Sequence, residues 1–297
     1  MKRLQMAFDS KEIGQRVRAY RLGAGYTADQ LASKLQVSRA ALYRIEQGDI
    51  VKIDVIQNIA LILETSLASL LGVAVEYHSN AASYQSRMQQ LEENASHIVA
   101  LFSPLSYLLT TPQYDQHLAQ MIGESIPLGG KLKGSLKAEQ EAVLNALRER
   151  RTQAQKAKPS ITCLISLEEV RRLATIGLVG RMGLPSATVV KRKLAAKAEV
   201  QNIADLMRAE PVGIQIGLIE NVIPNVAFQL FYRGNTVVLG SSPFRVGELP
   251  NLHVGVAMIT SSPEAVNLHV QLFDLLWSAC KRGAEGAKLL ERVLAST

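Results

Sequence analysis

Arg39, Ala40, Tyr43 and Arg44 recur at a spacing that puts them on one side of a helix. An arginine carries a planar fork that matches the acceptor edge of guanine, and an alanine methyl meets the methyl of thymine. A helix face of this composition is suited to reading base edges in a DNA major groove. The plainer alternative is that Arg39 and Arg44 are solvated surface charges. For an isolated helix that alternative prevails, so the decision rests on whether the neighbouring residues build the supports that such a helix needs.

The stretch Tyr26–Gly48, YTADQLASKLQVSRAALYRIEQG, supplies them. Thr27 is an N-cap residue, and Gln30 three positions on completes a capping box. Leu31, Ala32 and Leu35 form the apolar stripe of a first helix, and Gln36-Val37 makes a turn. Ser38 caps a second helix with apolar positions Ala41, Leu42 and Ile45, and Gly48 stops it. Ala32 is small where two helices must cross closely, and Val37 and Leu42 fill the space between them. This is the pattern of a helix-turn-helix, whose second helix stands proud enough to enter a groove.

Residues 11–72 resemble the phage-repressor and Cro-like helix-turn-helix domains, the Xre family, through KEIGQRVRAYRLGAGYTADQLASKLQVSRAALYRIEQG, the helix IDVIQNIALILETS and the closing SLASLLGV. The resemblance covers about a fifth of the chain. It implies a bundle of five helices, placed at about 10–23, 27–34, 38–46, 53–63 and 66–71. By motif position it implies that Thr27 and Ala28 open the second helix near the phosphate backbone. Ser38 caps the recognition helix, Arg39, Ala40, Tyr43 and Arg44 face the bases, and Glu46 is the acidic residue at that helix's end. Ala28 departs from the glutamine that many members carry, which puts one phosphate or base contact in question. The implied partner is a double-stranded DNA operator, pseudo-palindromic and engaged by a homodimer.

Composition is compatible with this. The chain has 297 residues, a formal net charge of +7 and two cysteines, Cys163 and Cys280. A basic balance favours polyanions without selecting one. The basic runs of 131–158 and 171–197 are expected to be solvated helix faces rather than further nucleic-acid sites. Two cysteines in apolar surroundings exclude a disulfide framework and suggest buried thiols. No uniformly apolar run of spanning length and no leader pattern is found, so a cytoplasmic protein without membrane contact is expected.

The length calls for more than one domain. The expected organisation is multidomain, mainly α with α/β: the five-helix bundle at 1–75, a helical linker and dimerisation region at 76–158, and an α/β domain at 159–297 that binds an effector or a partner. In the linker, Met88, Leu91, Ala95, Ile98 and Leu101 fall three or four apart, which predicts a helix from about Ser83 with a stripe suited to an interface between protomers or to packing on the chain's own second half. A further helix is expected at Tyr114–Glu124. The segment IPLGGKLKGS reads as a connector, and Ser135 as the cap of a long helix ending before Pro159. In the last half, extended segments are expected at 161–167, 212–220, 225–233, 236–244 and 253–260, with a hairpin turn at Arg233-Gly234-Asn235. Helices are expected at 167–175, at 186–209 and after Ser262-Pro263-Glu264. This order resembles half of the phospholipase-D-like sensor domains attached to some transcription regulators. The HxK pattern of the phospholipases is absent around His253 and His269, so no hydrolysis is inferred.

Catalytic and metal signals are weak throughout. Ser241 and Ser242 have no histidine–acid partners legible in sequence, and the five histidines lack metal-ligand spacing. No enzyme activity, cofactor or metal is expected. Polar residues beside the extended segments, namely Glu220, Asn221, Asn225, Gln229, Ser241, Ser242 and Arg245, are candidate effector ligands, with Arg245 and both serine hydroxyls gathered on an anionic group. Two readings follow. One is a dimeric DNA-binding regulator controlled by a small effector. In the other the second half is a protein-interaction or oligomerisation module without a small-molecule ligand. A closed pocket favours the first, and a broad exposed apolar face the second.

Overall fold

The computed structural model describes residues 9–49, 52–72, 75–102, 104–125 and 133–297, the side chains of 133–136 excepted. The first five helices are α1 (Ser10–Gly23), α2 (Ala28–Lys34), α3 (Arg39–Gln47), α4 (Ile53–Ile62) and α5 (Leu67–Leu71). Each lies within a residue of the range expected for it. Local chemistry sets their ends. Asp9, Thr27, Ser38 and Ser66 each accept a backbone N–H of the first turn. The Thr27–Gln30 capping box closes in both directions. Gly48 and Gly72 take the left-handed conformation beyond α3 and α5. The helices bury their own core of Val17, Leu31, Ala32, Leu42, Ile59 and Leu70, against which Val37 and Leu35 pack.

Among the described residues after α5, the strands form an eight-stranded sheet in the order β1-β7-β6-β5-β2-β3-β4-β8. Its strands are β1 (Val75–His78), β2 (His97–Phe102), β3 (Ser160–Ser166), β4 (Ile214–Ile219), β5 (Ala227–Arg233), β6 (Thr236–Ser242), β7 (Ala257–Thr260) and β8 (Lys281–Arg282). β2, β3 and β4 run parallel, while β5, β6, β7, β1 and β8 pair antiparallel with their neighbours. The β5–β6 hairpin turns through Gly234-Asn235 at the expected place, with Gly234 at φ +55°.

Seven further helices are described: α6 (Ala81–Glu92), α7 (Tyr114–Glu124), α8 (Lys133–Ala157), α9 (Leu167–Ile176), α10 (Ser186–Ala209), α11 (Pro263–Ala279) and α12 (Gly283–Ser296). One face of the sheet, through Ile98, Cys163, Ile216 and Phe231, packs in a core shared with α6, α7, α8, α9, α10 and α12. On the other face Val99, Leu164, Phe228, Leu230 and Leu239 meet Val266 and Phe273 of α11.

Residues 76–158 differ from the expectation of a helical linker. They contribute β1 and β2 to the same sheet as residues 159–297. The helix predicted from Ser83 ends at Glu92, and HIVALF, which is rich in β-branched and aromatic residues, forms β2. The stripe therefore divides: Met88 and Leu91 lie on α6, and Ile98 and Leu101 lie on a strand, on opposite faces of the sheet. Every residue of α6 is buried within the chain, so this helix has no free face for a second protomer. Residues 126–132 of the expected connector lie outside the described residues, and α8 starts ahead of Ser135.

The basic runs also differ from expectation. Arg150 is buried and grips Glu92 at 2.9 and 2.6 Å. Arg192 reaches Glu124 at 2.6 Å, and Arg151 reaches Asp115 at 3.1 Å. These cations tie helices together, whereas Arg148, Lys156 and Lys158 are solvated as expected.

Candidate nucleic-acid interface and sheet crevice

α3 turns Leu42 and Ile45 into the core and leaves Arg39, Ala40, Tyr43 and Arg44 exposed. The guanidinium of Arg39 donates to Asp29 Oδ2 and to the Tyr43 hydroxyl, both at 3.1 Å, and lies over the Tyr43 ring. The hydrogen bond it donates to Tyr43 and the charge of Asp29 raise its pKa above the ordinary arginine value. Arg44 has a looser neighbour, with Nε 3.9 Å from Asp49 Oδ2 and both side chains more than half exposed. Pairs this exposed hold little energy and are exchanged readily for a partner that excludes water. Ser38 accepts Ala41 N at 3.1 Å and is exposed beside them.

A buried fork sets the pose of this helix. Arg21 of α1 donates from Nε to Glu46 Oε1 at 2.6 Å and from Nη2 to Oε2 at 3.1 Å, and its Nη1 donates to the Tyr26 carbonyl at 3.0 Å. One guanidinium therefore joins α1, the entry to α2 and the end of α3. Gly14 allows the close approach this needs, since a Cβ there would sit 2.5 Å from the Ile45 carbonyl oxygen. Thr27 is exposed at the start of α2. Ala28 is placed differently from the other expected contacts: its side chain lies in the helical core. A phosphate contact at this position is therefore left to the backbone N–H groups of the helix start, not to the side chain.

The expected effector residues do not converge as a group. Gln229, Ser242 and Arg245 line one small cavity of about 90 Å³, shared with Tyr84, Tyr107 and Arg150. Ser241 pairs with Phe228 in the register and sides with it on the opposite face, because successive strand residues alternate. Glu220, Asn221 and Asn225 are exposed on the loop between β4 and β5 and are absent from that lining. Arg245 is engaged by carboxylates, with Nη1 2.7 Å from Glu248 and Nη2 3.3 Å from Glu169. Arg172 reaches the same Glu248 at 2.6 Å. Burial pushes the Glu248 carboxyl up to about 7 against the pull of Arg245. The Ser242 hydroxyl accepts the Phe244 N–H at 3.0 Å. The arrangement is an ion-pair network beside a cleft of a few water volumes, well below the roughly 300–1,000 Å³ of most ligand sites.

Both cysteines are free and buried, and burial raises the Cys163 thiol to about 12, outside the range of reactive thiolates. Among the described residues no group of three or more His, Cys, Asp or Glu is arranged to hold a metal ion, and no helix is long and apolar enough to cross a membrane.

Residues 12–71 match the family model described as a helix-turn-helix domain. The match runs from the first turn of α1 to the end of α5 and stops ahead of β1. It supports a DNA-binding helix-turn-helix segment in this part of the chain. No curated protein is similar enough to the chain to be matched with it.

Proposed function

We propose that the protein is a sequence-specific duplex-DNA-binding transcription regulator of the Xre type, acting as a homodimer on a pseudo-palindromic operator and controlled by a small effector held by its α/β half. The observation that carries the reading is the outward face of α3: Arg39, Ala40, Tyr43 and Arg44 stand exposed together on a helix whose pose is locked by the Arg21–Glu46 fork. Thr27, the Ala28 N–H and Ser38 flank that face as phosphate contacts. The net charge of +7 adds a salt-dependent attraction that is indifferent to sequence. The resemblance of the last half to phospholipase-D-like sensor domains belongs to the same proposal, and no catalytic step is assigned.

Arg44→Ala is expected to weaken binding to the cognate duplex by about 1–3 kcal/mol, the worth of a bidentate base contact. Arg39→Ala is expected to act in the same direction and more weakly, because wild-type Arg39 must first release Asp29. Fluorescence anisotropy against cognate and random duplexes measures both. Wild-type affinity for the cognate duplex in both variants rejects the assignment.

A second reading is favoured by α11. Leu268, Leu272 and Leu275 are 58, 43 and 67 % exposed and fall on one side of that helix. In this reading the half that carries α11 is an oligomerisation module without a small-molecule ligand, and the leucine stripe seats a second copy of the chain. With α6 buried, α11 is also where the homodimer of the first reading finds an exposed apolar helix face.

A further inference from the structure

We propose that the cavity between α1 and the sheet is a binding site for a small anion of the carboxylate or phosphate class, seated on Arg233 and Lys11. The inference deepens the effector-controlled reading and rests on it for its regulatory consequence, while binding itself stands on the cavity. The cavity holds about 600 Å³, within the usual range of ligand sites and far larger than the cleft beside Arg245. Its walls come from both parts of the chain: Lys11, Glu12 and Arg16 on α1, Arg87 on α6, and Arg233 and Thr236 flanking the β5–β6 turn.

Charge in the lining is unbalanced. Among the described lining residues, Lys11, Arg16, Arg87 and Arg233 face Asp9, Glu12 and Glu76, four cations against three carboxylates. The pairing is uneven as well. Arg87 takes two of the three carboxylates, with Nε 2.9 Å from Glu76 and Nη2 2.5 Å from Glu12. Arg16 takes the other Glu76 oxygen at 2.5 Å. Among the described residues Arg233 has one side-chain contact, from Nη2 to Glu12 Oε1 at 2.8 Å, and its buried Nε has no acceptor. Lys11 is exposed and has no ion-pair partner among the described residues. A guanidinium whose Nε–H lacks an acceptor is completed by an oxyanion, which accepts a charge-assisted N–H bond. Lys11 supplies the remaining positive charge. An anion bridging Arg233 and Lys11 touches the sheet and the helix-turn-helix segment together, so it stabilises their docked arrangement over any other.

The test is thermal melting of the full chain at ionic strength held constant with chloride, titrated with inorganic phosphate and separately with citrate. The expected result is a saturable rise in Tm with at least one of them. The rise persists in Arg39→Ala/Arg44→Ala, which excludes phosphate binding on α3. In Arg233→Gln and in Lys11→Gln the half-saturating concentration is expected to increase tenfold or more. Lys11 is solvent-exposed, so its variant keeps the test decisive if Arg233→Gln fails to fold. No rise with either anion, or a rise unchanged in Lys11→Gln, overturns the site. DNA affinity measured with and without the anion separates the two readings. An anion that raises Tm through Lys11 without altering DNA affinity upholds the site and rejects effector control. DNA binding without any anion response rejects the site and leaves the regulator reading standing.

Discussion

Arg87→Met is expected to destabilise the full chain by about 3–5 kcal/mol at neutral pH, the usual loss when one member of a buried ion network is removed. Arg87 is 1 % exposed and joins α6 to Glu76 of β1 and Glu12 of α1. Methionine fills much of the volume but leaves two carboxylates buried with less countercharge. The loss measures that uncompensated burial rather than any large net worth of the intact network. Equilibrium urea unfolding at neutral and acidic pH checks it. In Glu76 burial pushes the carboxyl up, but Arg87, the His78 ring 3.9 Å away and Arg16 overcome this and hold it far below the ordinary value of 4.5. Glu12 is held down in the same way, against burial, by Arg87 and Arg233. A carboxylate depressed on folding contributes stability that is present in full above its unfolded pKa and is lost as pH falls through the folded value. The wild-type chain therefore loses stability on acidification below about pH 4.5, and Arg87→Met loses less over the same interval. Wild-type stability of the variant at pH 7 contradicts the account of this interface.

Glu46→Ala is expected to cost about 3–5 kcal/mol in the helix-turn-helix segment and to abolish specific DNA binding at temperatures where the segment still folds. The carboxylate it removes is 8 % exposed and accepts two bonds from Arg21, which is 6 % exposed. Alanine leaves a buried guanidinium with the Tyr26 carbonyl alone. The effect on DNA exceeds that of Arg44→Ala, because the fork positions all four outward residues of α3 whereas Arg44 is one of them. Glu46→Gln retains an acceptor for one N–H and is expected to fall between the two. Circular dichroism melts paired with anisotropy separate the stability loss from the binding loss. A folded Glu46→Ala chain with full DNA affinity refutes the positioning role.

The helix-turn-helix segment was legible because its signals are local. Thr27 and Gln30, Ser38 and Gly48 each act within four residues, and each acts in the structure as its type predicts. β3 to β7 and the Gly234 turn were legible for the same reason, whereas the two-residue β8 carries no such signal. β1 and β2 were not, because their pairing partners, β7, β5 and β3, lie far along the chain, and Met88 to Leu101 fits a helical period equally well. The burial of α6 was hidden by its polar residues. Gln85, Arg87, Gln90 and Glu92 are of types that are usually solvated, yet each is satisfied by α1, α8 or β1. Arg245 read as an open anion site although one carboxylate partner, Glu248, stands three residues on; the other, Glu169, lies 76 residues away and is brought to it only by the fold. The cavity at Arg233 and Lys11 was invisible in sequence, since its two cations are 222 positions apart and come together only when α1 docks beside the β5–β6 hairpin.

The most direct measurement is selection of duplexes from a random pool by the full chain, followed by footprinting on the enriched sequence. The account predicts one enriched motif with two half-sites related by a two-fold axis, centred about 10–10.5 base pairs or a multiple apart, with protection in successive major grooves. It predicts that Arg39→Ala/Arg44→Ala binds this motif no better than random duplex. A pool that enriches no motif, or a motif that the double variant binds as tightly as the wild-type chain, contradicts the claim that α3 reads DNA.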